Sequence, residues 1–147
     1  MLSESARATS AAEAKFRVDP GAIVNRRVRV VALDAATDAV VNRLASGSWN
    51  SVTFVRHGEL ADRAADDLAA ADLVVMVVAA GADAAAAARI GQACSDMRTH
   101  TATFVLRTPT ATDDMLSRTL AQVRPWSLMV VVANDSAYVE DVLRSFR

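Results

Sequence analysis

The sequence predicts an α/β fold, a three-layer, doubly wound, mainly parallel sheet of about five strands. Two observations carry this. Short β-branched, uncharged runs recur along the chain, and stretches of helical length and amphipathic or alanine-rich character separate them. Buried strands alternating with helices close into a parallel sheet through right-handed crossovers, which puts helices on both faces. The length agrees: 147 residues that are 52% hydrophobic suit one domain with one core.

The elements follow in order. Residues 1–21 read as a flexible N-terminal tail, polar and alanine-rich, closed by the turn Val18-Asp19-Pro20-Gly21; residues 22–147 read as a single α/β domain. Val28 to Leu33 is the first strand. Thr37 or Asp38 caps a helix through Leu44 and Ala45, which Ser46-Gly47-Ser48 closes. Ser51 to Val55 is the second strand. Leu60 to Ala71 reads as a charged helix, with Leu60, Ala64 and Leu68 spaced for one buried face. Leu73 to Val78 is the most apolar strand and therefore the central one. Asp83 to Met97 is a helix built on five consecutive alanines and anchored by Ile90. Ala102 to Leu106 is a fourth strand, Asp113 to Val123 a helix, Leu128 to Val132 a fifth strand and Tyr138 to Phe146 a closing helix.

Composition removes several classes of function. Lys+Arg 16 against Asp+Glu 17 leaves a net charge of −1, so no overall field attracts nucleic acid or an anionic membrane. Arg26, Arg27, Arg29, Arg43 and Arg63 are interspersed with acids and lack the aromatics of a nucleic-acid surface. The longest uncharged apolar run, Leu73 to Ala82, has ten residues, where a membrane span needs roughly 20. Met1 to Arg17 has no apolar core of the kind a secretory signal needs, and one cysteine, Cys94, makes no intramolecular disulfide. A cytoplasmic protein is expected. Arginine supplies every basic residue but Lys15, a bias of composition more than of function.

In doubly wound sheets, ligands sit outside the carboxyl ends of the strands, where the strand order reverses. The loops at that rim hold Asp34-Ala35-Ala36-Thr37-Asp38, Arg56-His57-Gly58-Glu59, Ala80-Gly81-Ala82-Asp83, Arg107-Thr108-Pro109-Thr110 and Asn134-Asp135. A remodelled small-ligand site there would be made by Asp34, Thr37, His57, Gly81, Asp83, Arg107 and Asn134.

The run Val28 to Leu44 resembles the opening of the FtsZ/tubulin family, a strand that enters a glycine-rich turn and then an Asn-Ala-Val-Asn-Arg-Met helix; here the helix reads Asp38-Ala39-Val40-Val41-Asn42-Arg43-Leu44. Ala45 to Val55 is similar to that family's step into its second strand, and Ala71 to Val77 to the strand before its GGGTGTG phosphate loop. Thr103 to Pro109 and Val130 to Asp135 resemble its next two strands, so the likeness covers most of Val28 to Asp135. It implies a Rossmann-like fold of the FtsZ/tubulin N-terminal kind. The departures fall on the chemistry. The first turn is Asp34-Ala35-Ala36-Thr37-Asp38, without glycine, and Gly81-Ala82-Asp83-Ala84-Ala85-Ala86-Ala87 stands where the family has GGGTGTG. Asp34, Asp38 and Asp83 put negative charge where the family puts phosphate, and like charges at ~4 Å repel by about 4 kcal/mol at an effective dielectric of 20. The likeness stops soon after the fifth-strand loop, before the family's long central helix, acidic hydrolysis loop and second domain, so hydrolysis and filament formation of the family's kind are not expected. The fold carries over, and no catalytic residue does.

Other chemistries are weaker. A phosphoacceptor receiver needs an aspartate ending the third strand and a lysine after the fifth, and those places hold Val78-Ala79-Ala80 and Asn134-Asp135. Neither G-x-G-x-x-G nor a P-loop is present. His57 and His100 fall at opposite rims without zinc spacing, and Cys94 reads as a packing residue in an alanine-rich helix. Carboxylates at the rim, Asp34, Asp38, Asp83, Asp113 and Asp135, are explained more simply as helix caps than as a divalent-cation site. Arg56, Arg107 and Thr108 suit an anion or plain solvated ion pairs; Trp49 and Trp126 suit packing at the opposite edge or a partner surface. The expectation is a non-enzymatic binding or regulatory module, a degenerate FtsZ/tubulin-like domain without cofactor or metal, acting through a protein partner or as a homo-oligomer. The alternative is a small-ligand or nucleotide-binding protein, whether or not an enzyme, with a remodelled site at the carboxyl ends of the strands.

Overall fold

The computed structural model describes residues 26–145. The tail of residues 1–21 and the end of the closing helix at Phe146 lie outside the described residues. Strands β1 (Val28–Ala32), β2 (Val52–Val55), β3 (Leu73–Ala79), β4 (His100–Leu106) and β5 (Met129–Ala133) form one sheet in the order β2-β1-β3-β4-β5. Every pairing is parallel. This is one of the two common doubly wound orders, and its reversal falls between β1 and β3.

Side chains alternate across the strands and build a core on each face. On one face Val31, Leu33, Val74, Met76, Val78 and Val105 meet α2 (Ala65–Leu68), α3 (Ala86–Asp96) and α4 (Asp113–Val123). On the other, Val28, Val30, Val75, Val77 and Phe104 meet α1 (Ala35–Ala45) and α5 (Ser136–Ser145). Because both of its faces are covered, β3 is apolar without a break, and Leu73–Ala79 is the middle strand as its composition predicts.

The structure corrects several element bounds. Leu60 to Ala71 is not one helix: a 3-10 segment, His57–Asp62, is followed by extended Arg63 and Ala64 and then by the single turn of α2. Glu59 fixes the 3-10 start by accepting the Arg56 N–H at 3.0 Å, and Arg89 from α3 donates to the carbonyls freed at the break, Leu60 at 2.5 Å and Arg63 at 3.3 Å. Ala64 is consequently exposed while Leu60 and Leu68 are buried. Helix α1 starts with Asp34 in the N-cap place, before Thr37 and Asp38, because the Thr37 hydroxyl bonds back to Asp34 instead of capping. Helix α3 starts at Ala86 rather than Asp83; Gln122 of α4 accepts the Ala84 N–H at 2.8 Å and donates to Asp83 at 3.0 Å, so the loop is stitched to α4 before the helix begins. His100 opens β4 rather than preceding it.

Helix α3 ends in a Schellman turn, Thr99 N–H to Cys94 O at 2.8 Å and Arg98 N–H to Ser95 O at 3.2 Å, with Arg98 at φ 57° where glycine is usual. Gly91, inside α3, lets the helix touch Trp126: a Cβ there would overlap Trp126 Cβ and lie 3.0 Å from its Cγ.

Candidate functional site

The switch point between β1 and β3 is where a doubly wound sheet opens a crevice. Here Asp34 lies at that point. As β1 ends, the Leu33 N–H still bonds the Val77 carbonyl at 2.9 Å, and the next strand amide, Ala79 N–H, is accepted at 3.2 Å by Asp34 Oδ1. The carboxylate thus extends the ladder where the main chain turns away. The same oxygen accepts the Thr37 hydroxyl at 2.7 Å, and that hydroxyl also reaches the Val77 carbonyl at 3.2 Å. Both side chains are buried, Asp34 at 9% exposure and Thr37 at 1%. The turn is compact because Ala35 and Ala36 bring only methyl groups, and helix α1 begins directly after Asp34.

Around this plug the other rim residues form separate units. Asp38, one turn along α1, accepts the His57 N–H at 2.6 Å and ties the loop after β2 to the first helix, leaving the His57 side chain exposed. Gly81, at φ +90°, donates its N–H to Thr119 Oγ1 at 2.9 Å and lies under Met115; a Cβ there would overlap Met115 Cε and crowd its Cβ at 3.2 Å. Asp83 accepts the Ala85 N–H at 3.0 Å besides its bond to Gln122. Arg107 pairs with Asp113 at 2.7 Å, Asp135 accepts the Ala137 N–H at 2.8 Å, and Asn134 is exposed. Of the seven candidate positions, Asp34 and Thr37 bond each other, and the rest are engaged with different neighbours or with solvent.

The aspartates divide in their roles. Asp83 and Asp135 bind amides two residues on at their helix starts, whereas Asp34 and Asp38 tie elements together and Asp113 pairs with Arg107; α4 is capped instead by Thr112, which accepts the Met115 N–H at 3.1 Å. Among the described residues, no three His, Cys, Asp or Glu side chains converge as a metal site. Beside the rim, the Arg56 amide holds the Glu59 carboxyl below its ordinary range, and the hydrogen bond from Arg63 does the same for Asp67.

No family model, curated protein or solved structure matches the chain. No helix among the described residues is long and apolar enough to cross a membrane.

A cleft of about 320 Å3 opens at the opposite rim, by the amino ends of β4 and β5, between Cys94, Thr99, His100, Trp126 and Leu128. Three of its hydroxyls are already committed: Thr99 to the Ala69 carbonyl at 2.9 Å, Thr101 to the Trp126 carbonyl at 2.8 Å, and Ser127 to the Val123 carbonyl at 2.7 Å, with Thr103 2.6 Å from the Ser127 hydroxyl. Burial pushes the Cys94 thiol up to about 11, so it is neutral rather than nucleophilic. Trp49, also at this end, packs edge-to-face on Phe54, donates to the Leu44 carbonyl at 2.6 Å and carries the Arg144 guanidinium 4.2 Å from its ring centre.

Sequence reasoning missed one feature. Strand β5 is a sheet edge that leaves two of its side chains open, Met129 and Val132 each 43% exposed, with Leu128 75% exposed just before it. The signal was available as an uncharged run from Pro125 to Asn134.

Proposed function

We propose that this chain is a non-enzymatic binding or regulatory module, a degenerate FtsZ/tubulin-like domain that has lost GTP binding and hydrolysis and acts through a protein partner or through self-association. The observation that carries this is Asp34. Its carboxylate takes the place a ligand would take at the switch point, and its hydrogen bonds go to Ala79 and Thr37 of its own chain. A phosphate entering there would displace a buried carboxylate of its own sign and strand the Ala79 N–H. At the second phosphate position Gly81 packs against Met115 and donates to Thr119, and Asp83 is bound to Gln122, which supports the same reading. Among the described residues, exposed apolar side chains gather elsewhere, at the β5 edge, which supports contact with protein rather than with a small ligand at the carboxyl rim.

The test is equilibrium binding of a fluorescent GTP analogue and release of phosphate from GTP, each with magnesium. The expected result is neither saturable binding nor turnover. Turnover that disappears in Asp83→Ala, with the variant still folded, overturns the proposal in favour of a remodelled active site at the rim.

A further inference from the structure

The two edges of the sheet are built differently. Strand β2 is short, and its exposed Thr53 lies under Arg29, whose Nε reaches the Thr53 hydroxyl at 3.4 Å and whose Nη1 donates to the Asp67 carbonyl. The strand then runs into Arg56 and its partner Glu59. Charge, shortness and a covering guanidinium are the usual protections against pairing with another chain. Strand β5 is one residue longer and has neither the charge nor the guanidinium. No charged residue and no proline interrupts Trp126 to Asn134, and among the described residues β5 pairs only with β4.

The direction of the free peptide groups follows from one bond. Ala133 accepts the Arg107 N–H at 2.8 Å, so Ala133, and by alternation Val131 and Met129, turn their peptide groups toward β4. Val130 and Val132 turn theirs outward. We propose that two copies of this chain pair antiparallel along β5, Val130 opposite Val132 of the partner subunit about a two-fold axis at Val131. This rests on the binding-module reading and names the partner as a second copy.

Three features select a second copy over an unrelated strand. In this register the strand is complementary to itself: each outward valine finds a donor and an acceptor, and the long Met129 lies opposite the small Ala133 of the partner subunit. The nearest flanking charges are Arg124 before the strand and Asp135 after it, so an antiparallel pair sets the basic end of one strand beside the acidic end of the other. A net charge of −1 gives two copies little mutual repulsion. A five-residue strand with its flanks makes a small interface, so the dimer is a weak, micromolar one.

The full chain is followed by sedimentation equilibrium from low micromolar to near-millimolar concentration, together with Val132→Pro and Val132→Lys. The wild type is expected to pass from monomer to dimer. Proline at 132 removes an outward N–H that bonds nothing in its own sheet, so it is expected to weaken dimerisation at least ~10-fold while the monomer stays folded. Lysine, which sets two ammonium groups near the axis, does the same without constraining the backbone and decides the matter if the proline variant fails to fold. Val132→Thr, which keeps the β-branch and the peptide N–H, retains the dimer. A wild type that stays monomeric throughout, including one that binds some other protein, overturns the proposal, as does a dimer indifferent to both substitutions. A monomer that ignores nucleotide sinks this pairing alone, whereas a GTP response at the rim sinks the module reading whatever the oligomeric state.

Discussion

Replacing Asp34 by alanine removes the carboxylate that bridges the ends of β1 and β3. The Ala79 N–H, half-buried at the end of β3, loses its acceptor, while Thr37 keeps the Asp34 main-chain oxygen at 3.0 Å and the Val77 carbonyl at 3.2 Å. Hydrogen bonds to a charged group contribute about 1.5–3 kcal/mol, and a stranded amide costs about 1–3 kcal/mol. Because water reaches the mutated turn in part, the expected loss is about 2 kcal/mol. For a domain of this size that lowers Tm by roughly 6–12 °C. Asp34→Asn keeps an oxygen in the same place and is expected to cost less than about 1 kcal/mol, and Asp38→Ala, whose single bond to the His57 N–H is exposed, a similar amount. Chemical denaturation and thermal melting of the three variants measure these differences. If Asp34→Ala melts within about 2 °C of the wild type, Asp34 does not hold the switch point shut, and the case against a ligand there fails with it.

Three further outcomes follow from local geometry. Gly91→Ala gains about 1 kcal/mol of helix propensity, but its methyl group meets Trp126, and overpacking of that kind costs about 1–3 kcal/mol; denaturant melts are expected to show net destabilisation, and a more stable variant would contradict the contact. Arg98→Gly relieves a left-handed residue worth about 1–2 kcal/mol against about 0.4–1 kcal/mol of added chain entropy in the unfolded state, so the same melts should show a gain of about 0.5–1 kcal/mol. Cys94, held up at about 11, keeps its proton in the folded state after the unfolded thiol has begun to ionise, so stability falls as pH rises from 9 toward 11. Cys94→Ala should flatten that alkaline slope, and a thiol reagent at neutral pH should label Cys94 only as fast as the chain opens.

Local pattern carried the architecture. Helix α4 has the predicted bounds because Thr112 and two aspartates mark its start and an apolar face runs to Val123, all within one segment. The central place of β3 followed from its unbroken apolar run, since only a strand covered on both faces tolerates one. What stayed hidden depends on contacts between distant segments. Leu60 to Ala71 has a helical apolar spacing, but Arg89 satisfies the carbonyls of a break there from 26 and 29 residues away. Asp34 reads as a cap or a ligand until β1 and β3 are paired, because the amide it serves lies 45 residues along the chain. Likewise Gly81 reads as a ligand-site glycine, and only the packing of Met115 over it, like that of Trp126 over Gly91, shows why neither position has a side chain. The position of β5 at the edge, and with it the exposure of its valines, is a property of strand order that no single segment encodes.

The most direct test of the account is a thermal-shift panel on the full chain with GTP, GDP, ATP, NAD, FMN and S-adenosylmethionine, each with and without magnesium. A ligand at ~100 times its Kd adds about 2.7 kcal/mol to stability, a shift of several degrees. A rim closed by Asp34, Met115 and Gln122 predicts no shift with any of them. A magnesium-dependent rise with a guanine nucleotide would contradict it, for then Asp34, Asp38 and Asp83 would be serving a metal and a phosphate instead of their own chain.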